Sequence, residues 1–386
     1  MIVLGTAGIC LALIWLSRLM DAVRGIPTLA DLSRPEWDVK QVGPGNHVTI
    51  VVPARNEQAS IRSTLERLLA LDYGAYQVIA VDDRSTDLTG KIMDEVAKTS
   101  NPRLKIVHIK QLPPGWMGKS HAMWTAARQV SSDWLLFTDA DVLFRPDCLR
   151  RAVAYADHER ADHLVILPEV IMCSPGEKMM LAFFQLLFVF GHRPWKVADP
   201  QAKDHMGVGA FNLVRRSAYE AIGSFQALRF EVVDDMKLGK LIKNAGFRQR
   251  VVFGDDLISV RWARGARGVV NNLTKNFFAV MSFQTWRALL ACLALGVLNL
   301  LPFWGLLFAP SWARVPYGLT VAAMFVLYAG IWRQVQIPAW YFLLHPISTV
   351  LFIYTMLRST FLTLWTGGVE WRGTWYPLEE LRKGLV

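Results

Sequence analysis

Three groups of aspartates punctuate this chain: Asp82-Asp83, Asp139-Ala140-Asp141 and Asp234-Asp235. The middle group follows Trp134-Leu-Leu-Phe-Thr138, whose apolar run reads as a buried parallel strand. Ligand sites of α/β proteins lie at the carboxyl ends of such strands. Residues i and i+2 of an extended backbone point to the same side, so Asp139 and Asp141 are expected to face one point. Two anions ~4 Å apart repel by about 4 kcal/mol at an effective dielectric of ~20. The pair therefore needs a cation between its members, or one member must keep its proton. A divalent ion shared with a diphosphate meets that need, because Mg²⁺ is usually held by one or two carboxylates together with phosphate oxygens. The plainer reading is an Asp-rich turn capping a helix that begins near Pro146.

Alternating strands and helices must position these groups. His47–Pro53 reads as a buried strand, followed by the loop Ala54-Arg55-Asn56-Glu57 and a helix with Ile61, Leu65, Leu68 and Leu69 at helical spacing. Val78–Val81 is a second strand, ending in Asp82-Asp83, and Ser85 and Thr86 are expected to cap the next helix. Leu104–Ile109 is a third strand, residues 119–130 a helix, and Trp134–Thr138 the fourth strand. This alternation predicts a Rossmann-like α/β fold, a mostly parallel sheet with helices on both faces. Gly115-Trp-Met-Gly118-Lys119-Ser120 is not a Walker loop, since Pro113 stands where the first glycine is required. Lys119 at a helix start still suits an acidic ligand, or else is simply solvated. Val165–Pro168 is a further strand. Beyond it come Gly207-Val-Gly209-Ala-Phe-Asn-Leu-Val-Arg215 and then Glu231-Val-Val-Asp234-Asp235, which leads into a helix ending near Gly246.

The chain has 386 residues, 53% hydrophobic and 19% charged, too apolar for a purely soluble protein. Its four cysteines have no metal-ligand spacing, and the net charge of +10 comes without a nucleic-acid-binding motif. On a membrane protein such charge suits anionic headgroups and phosphate-bearing substrates. Residues 1–17 carry no charged side chain and lack a signal peptide's basic start and cleavage site. They read as an uncleaved anchor, and Arg18 and Arg24 behind it predict that the chain beyond the anchor is cytoplasmic. Residues 25–46 read as a linker with Pro27, Pro35, Pro44, Gly25, Gly43 and Gly45. Residues 178–191, with Phe183, Phe184, Phe188 and Phe190, are short for a span and precede His192, Arg193, Trp195 and Lys196. They suit a helix in the membrane interface, or alternatively a core helix. Residues 288–309, 315–332 and 337–357 are long enough to cross. Three complete crossings would put the tail opposite the cytoplasmic domain, and a re-entrant third segment would keep it on the same side. Arg314 and Arg333, one at each short loop, do not decide. The expected organisation is an anchor over 1–24, a cytoplasmic domain over 25–280, and a membrane domain with tail over 281–386.

The set Val51-Val-Pro53-Ala-Arg55-Asn56-Glu57, Val81-Asp82-Asp83-Arg-Ser85-Thr-Asp87, Asp139-Ala-Asp141, Gly207–Arg215 and Val233-Asp234-Asp235 resembles the family 2 glycosyltransferases of GT-A fold. The resemblance covers about residues 46–265. The anchor and the C-terminal spans are similar to members that glycosylate lipids, the hopanoid-associated, carotenoid-acid and ceramide types. What it implies is an inverting transfer from a nucleotide-sugar donor to a lipid acceptor by a multi-pass protein of the cell (inner or plasma) membrane. Asp83 would contact the nucleotide base beside Asp82, with Pro53, Arg55, Glu57, Lys119 and Asp139 also on the donor side. Asp139 and Asp141 would hold Mg²⁺ or Mn²⁺, and Asp235, with Asp234 next to it, would be the catalytic base. Gly209, Arg261 and Trp262 would lie toward the acceptor or diphosphate. The family often has Gln or Arg three residues before Arg-Trp, where this chain has Ile258, which weakens the alternative of a processive polysaccharide synthase. The tail Val369-Glu-Trp371-Arg372-Gly373-Thr-Trp-Tyr376 resembles a motif of the lipid-glycosylating members, with Thr374 in place of Arg. A non-catalytic relative would be expected to lose a carboxylate from one group, and none is lost.

Overall fold

The computed structural model describes residues 2–39, 46–99 and 102–384. Gly43, Pro44 and Gly45 of the expected linker, and the side chain of Arg333, lie outside the described residues. In chain order the elements are α1 (Ile2–Gly25), β1 (Val48–Ala54), α2 (Ile61–Leu69), β2 (Tyr76–Asp83), α3 (Thr89–Thr99), β3 (Leu104–Ile109), α4 (Gly118–Ala127), β4 (Trp134–Phe137), β5 (Val142–Phe144), α5 (Cys148–His158), β6 (His163–Leu167) and β7 (Glu169–Val170). They continue with α6 (Pro175–Gly191), β8 (Asn212–Arg215), α7 (Arg216–Ala221), α8 (Ser224–Ala227), α9 (Asp234–Asn244), β9 (Gln249–Phe253), β10 (Ile258–Val260) and α10 (Gly265–Val280). The last are α11 (Thr285–Asn299), α12 (Leu301–Phe308), α13 (Ser311–Val335), α14 (His345–Thr366), β11 (Gly368–Trp371), β12 (Thr374–Pro377) and α15 (Leu378–Lys383).

Two compact units form. One comprises Leu29–Ile171, Pro194–Arg261 and Glu370–Val386; the other comprises Met1–Thr28, Met172–Arg193 and Trp262–Val369. By contact, residues 262–280 group with the apolar helices and Glu370–Val386 group with the sheet.

The first unit is built on a seven-stranded sheet of order β3-β2-β1-β4-β8-β6-β9. Every pairing is parallel except those of β8, which runs antiparallel to β4 and β6. Alternation along the strands sends side chains to both faces. Ile50 and Val52 of β1 join Leu65, Leu68, Met93, Leu149 and Val153 of α2, α3 and α5 in one buried cluster. Val51 turns the other way, to Met123, Ala126, Leu238 and Ile242 of α4 and α9. Strands buried on both faces explain the near-continuous apolar runs in the sequence. A smaller sheet of order β5-β10-β7 follows the Asp139–Asp141 turn.

β2 runs on through Asp82 and Asp83, because its pairing with β3 continues to Asp83 opposite Ile109. Ser85 and Thr86 do not cap α3. Asp87 takes that role by accepting from the Thr89 amide at 2.9 Å, while the Ser85 hydroxyl accepts from the Asn56 amide at 3.0 Å.

In the second unit, four helical segments are long and apolar enough to cross a membrane: Val3–Thr28, Thr285–Phe308, Ser311–Gly330 and Ala339–Thr366. Leu293, Leu307, Phe308, Val315 and Leu319 stay exposed on them, as expected of a surface that faces something apolar. α6 begins with a capping box in which Ser174 and Glu177 satisfy each other's backbone amides. The buried Glu177 also accepts from the Gly265 amide at 2.6 Å, tying the starts of α6 and α10 together. Met180, Leu181, Ala182, Phe183 and Leu186 are buried within the unit, Phe183 against His345 and Phe352 of α14. One side of α6 is thus core, and Arg193 beyond its end lies 3.9 Å from Asp21 of α1.

Candidate active site

Three of the expected carboxylates line one cavity in the sheet unit. Asp139, Asp234 and Asp235 share its wall with Lys119, Gly209 and Asn212, over a floor of Met123, Phe137, Phe225 and Leu238. Asp139 leaves the carboxyl end of β4, whose pairing with β1 and β8 fixes where the chain emerges. Asp234 and Asp235 are the first two residues of α9, where the helix dipole favours anions.

Gly209 links the two sides. Its carbonyl accepts from the Asp139 amide at 3.0 Å, and its own amide donates to Asp235 Oδ2 at 2.8 Å. Asp235 Oδ1 accepts from the Met236 amide at 2.7 Å. A Cβ on Gly209 would lie 2.3 Å from Asp139 Oδ2, and one on Gly207 would lie 1.8 Å from the Asp235 carbonyl oxygen. Gly207 faces backbone and has no room for a side chain, and at Gly209 a side chain would displace the Asp139 carboxylate. The resemblance puts Gly209 on the acceptor or diphosphate side; here it is the backbone clamp between two carboxylates.

Lys119 meets carboxylates of its own chain. Its Nζ lies 2.8 Å from Asp139 Oδ1 and 3.6 Å from Asp234 Oδ2, so it belongs chiefly to Asp139. Burial disfavours its charge, but Asp139, Asp234 and Asp235 outweigh that and raise its pKa. Asp234 is pushed up to about 6, by burial and then by Asp235 and Asp139, against the pull of Lys119. Asp235 is raised too, chiefly by burial.

Asp139 and Asp141 flank a turn rather than extending a strand, so strand alternation does not orient them as expected. They are nonetheless close enough to repel: burial first, then Asp139 and Glu57, push Asp141 up to about 6. Among the described residues no group of three or more His, Cys, Asp or Glu could hold a metal by itself.

The second acidic pair is separately anchored. Asp82 accepts from the Ser85 amide and faces His108 Nδ1 at 3.0 Å. Asp83 is gripped by Arg84 through Nε at 2.7 Å and Nη2 at 3.0 Å, with Arg55 Nη1 at 3.8 Å. Pro53 sits in β1 opposite Val81. Glu57 pairs with Arg372. Arg261 and Trp262 are not among the cavity's lining residues. Trp262 opens the helical unit, where its ring stacks on Phe184 at 5.3 Å.

Sequence reasoning missed a buried polar network behind the cavity. Gln249 Nε2 donates to His163 Nδ1 at 2.6 Å, and His163 Nε2 meets Asn212 Oδ1 at 3.1 Å. Asn212 Nδ2 donates to the Val208 carbonyl at 2.6 Å, and Gln249 Oε1 accepts from the Met206 amide at 2.9 Å. Every link is satisfied by a neutral histidine protonated on Nε2, and the network grips the segment that carries Gly209. Asn212 lies in the Gly207–Arg215 motif; His163 and Gln249, on different strands, carry no sequence signal.

Residues 49–223 match the family model described as "Glycosyl transferase family 2". The chain is 23% identical over 345 residues to the 4,4'-diaponeurosporenoate glycosyltransferase of Staphylococcus aureus (strain MRSA252), covering 87% of this chain and 90% of that one. It is 23% identical over 232 residues to the enzyme of the same name from Staphylococcus haemolyticus (strain JCSC1435), spanning 60% of that protein's length. In structure it resembles a mannosyltransferase from Pyrobaculum calidifontis solved with GDP-Man and Mn²⁺, with a TM-score of 0.55, 20% identity and 94% of this chain covered. That likeness shows the fold, a mostly parallel GT-A sheet flanked by helices. The chain thus carries a glycosyl transferase family 2 domain over residues 49–223 and is similar over most of its length to a named glycosyltransferase.

Proposed function

We propose that this protein is an inverting glycosyltransferase that moves a sugar from a nucleotide-sugar donor to a lipid acceptor at the cell membrane, with its sheet unit on the cytoplasmic side. The observation that carries this reading is the Gly209 clamp, which holds Asp139 and Asp235 on one cavity wall. Asp82 and Asp83, with Arg55 and Arg84, form the nucleoside end of the donor site. The crowding of Asp139, Asp141 and Glu57 that pushes Asp141 up is what a hard divalent cation relieves. Asp139 and Asp141 would hold Mg²⁺ or Mn²⁺, which supplies charge neutralisation to the departing diphosphate when bound. The mannosyltransferase of like fold, solved with GDP-Man and Mn²⁺, supports the donor class and the metal.

The chemistry is a single displacement. The acceptor oxygen forms a bond to the anomeric carbon as the bond from that carbon to the diphosphate breaks. Asp235 takes the acceptor's proton, and the nucleoside diphosphate departs. Asp235 suits the task because its carboxylate is fixed by two backbone amides and its pKa is raised toward the working range. The acceptor class rests on the apolar helices and on the relatives' name, which specifies a carotenoid acid. Asn299, the strongly polar side chain in 288–309, is buried and donates to the Leu295 carbonyl of its own helix, which supports a single transfer over a polymer path. Incubation of the purified protein with labelled sugar nucleotides and total membrane lipid should place label in an organic-soluble product of fixed size. Label only in a long water-soluble chain would overturn the lipid reading in favour of a polysaccharide synthase.

A further inference from the structure

The two strands β11 and β12 close through a two-residue turn in which Arg372 and Gly373 have φ of 50° and 72°. Positive φ at both positions is the type I′ geometry that suits the twist of a hairpin. Glycine adopts it freely, and arginine does so at a cost. The arginine's contacts go to the loop after β1. Its guanidinium pairs with Glu57 and donates to the Arg55 carbonyl. Glu57 is mostly buried there, whereas the Arg372 side chain is 42% exposed. Among the described residues those two contacts leave most of the guanidinium's five donors unused, and its planar fork matches phosphate oxygens. Tyr376, on β12, reaches a second loop: its hydroxyl accepts from the Gly118 amide at 3.0 Å, at the start of the helix that carries Lys119. The same hydroxyl neighbours Arg84, the residue that grips Asp83. One short hairpin, far downstream in sequence, thus touches the loop after β1, the loop after β2 and the start of α4.

We propose that this C-terminal hairpin completes the donor site, with Arg372 binding the donor's diphosphate and Tyr376 positioning the start of α4. The proposal rests on the nucleotide-sugar reading above. A surface ion pair that only fastened the tail would contribute little and would not need an arginine in a left-handed turn.

The test uses the full chain in detergent, titrated by calorimetry with UDP, GDP, CDP, ADP and dTDP in the presence of MnCl₂. Whichever diphosphate binds the wild type should bind Arg372→Gln about tenfold or more weakly, since a charge-assisted bidentate contact is lost. Arg372→Lys should fall between, keeping charge without the fork. Tyr376→Phe should raise the donor KM while the acceptor KM stays put. Wild-type affinity in Arg372→Gln overturns the proposal. So does weakened binding matched by an equal drop in melting midpoint in both Arg372 variants, which marks a fastening role alone. Failure of the wild type to bind any nucleoside diphosphate overturns the donor reading itself, a result distinct from either.

Discussion

Asp234 and Asp235 are neighbours on one helix turn with different surroundings. Asp234 is buried, its near oxygen 3.6 Å from the ammonium of Lys119. Asp235 is held instead by neutral amides, from Met236 and Gly209, which orient it without neutralising it. A base needs that second kind of setting, because a permanent cation at contact distance would hold the proton off. Asp235→Asn should therefore keep nucleoside diphosphate affinity and lose turnover by about 10²-fold or more. Asp234→Asn should lose less, since Lys119 retains Asp139 at 2.8 Å. Calorimetric binding and single-turnover transfer on both variants decide the matter. Intact turnover in Asp235→Asn, or equal losses in the two, would contradict the assignment.

Between elements, the weight falls on the far edge of the sheet, where β6, β8 and β9 meet. His163 of β6 bridges Asn212 of β8 and Gln249 of β9 from a fully buried position. Burial lowers its pKa from 6.5 to about 4. An unfolded chain takes up this proton below about pH 6.5, whereas the folded chain refuses it until about pH 4. Proton uptake thus favours unfolding across that window, and His163 alone removes up to roughly 3 kcal/mol of stability as pH falls through it. Asp141 and Asp234, with raised values, act in the opposite direction. The His163→Gln variant should be less stable at pH 7 but lose less on going to pH 5 than the wild type does. Parallel melting curves of the two proteins at both pH values are the check, and identical slopes would sink the idea.

Across the whole molecule, the question is how often the chain crosses. The starts of α1 and α13 meet, since the Tyr317 hydroxyl donates to the Leu4 carbonyl at 2.9 Å and a Cβ on Gly8 would lie 3.1 Å from Pro316. The end of α1 leads directly into the sheet unit, so if α1 spans a membrane its start, and that of α13, lie on the far side. Thr285–Phe308 must then run outward and α13 must return. Because the tail from Glu370 groups with the sheet unit, we predict that the Ala339–Thr366 segment makes no net crossing. Cysteines introduced at Pro310 and at Gln336 should label from opposite sides of sealed vesicles, with Gln336 and the C-terminus on the side of the sheet unit. Labelling of Gln336 from the same side as Pro310 would refute this topology.

Much of the site could be read from local pattern. Apolar runs ending in carboxylates announced β2 and β4, because strands buried on both faces admit almost nothing else. The order of the acidic groups and the glycine pair before β8 carried the family likeness. The apolar stretches marked four helices by length and composition. What lies between elements could not be read. Lys119 had no visible partner until α4 and α9 were packed on one face of the sheet. His163 and Gln249 had no meaning apart, since strands adjacent in space are far apart in sequence. Ser85 and Thr86 lost their expected cap to Asp87 because the loop after β1 competes for the same hydrogen bonds. The tail motif had a pattern but no place until the hairpin closed on Glu57 and Gly118. Composition and periodicity are properties of a segment and survive in a one-dimensional string. Ion pairs and clamps depend on which segments meet, and only the folded chain decides that.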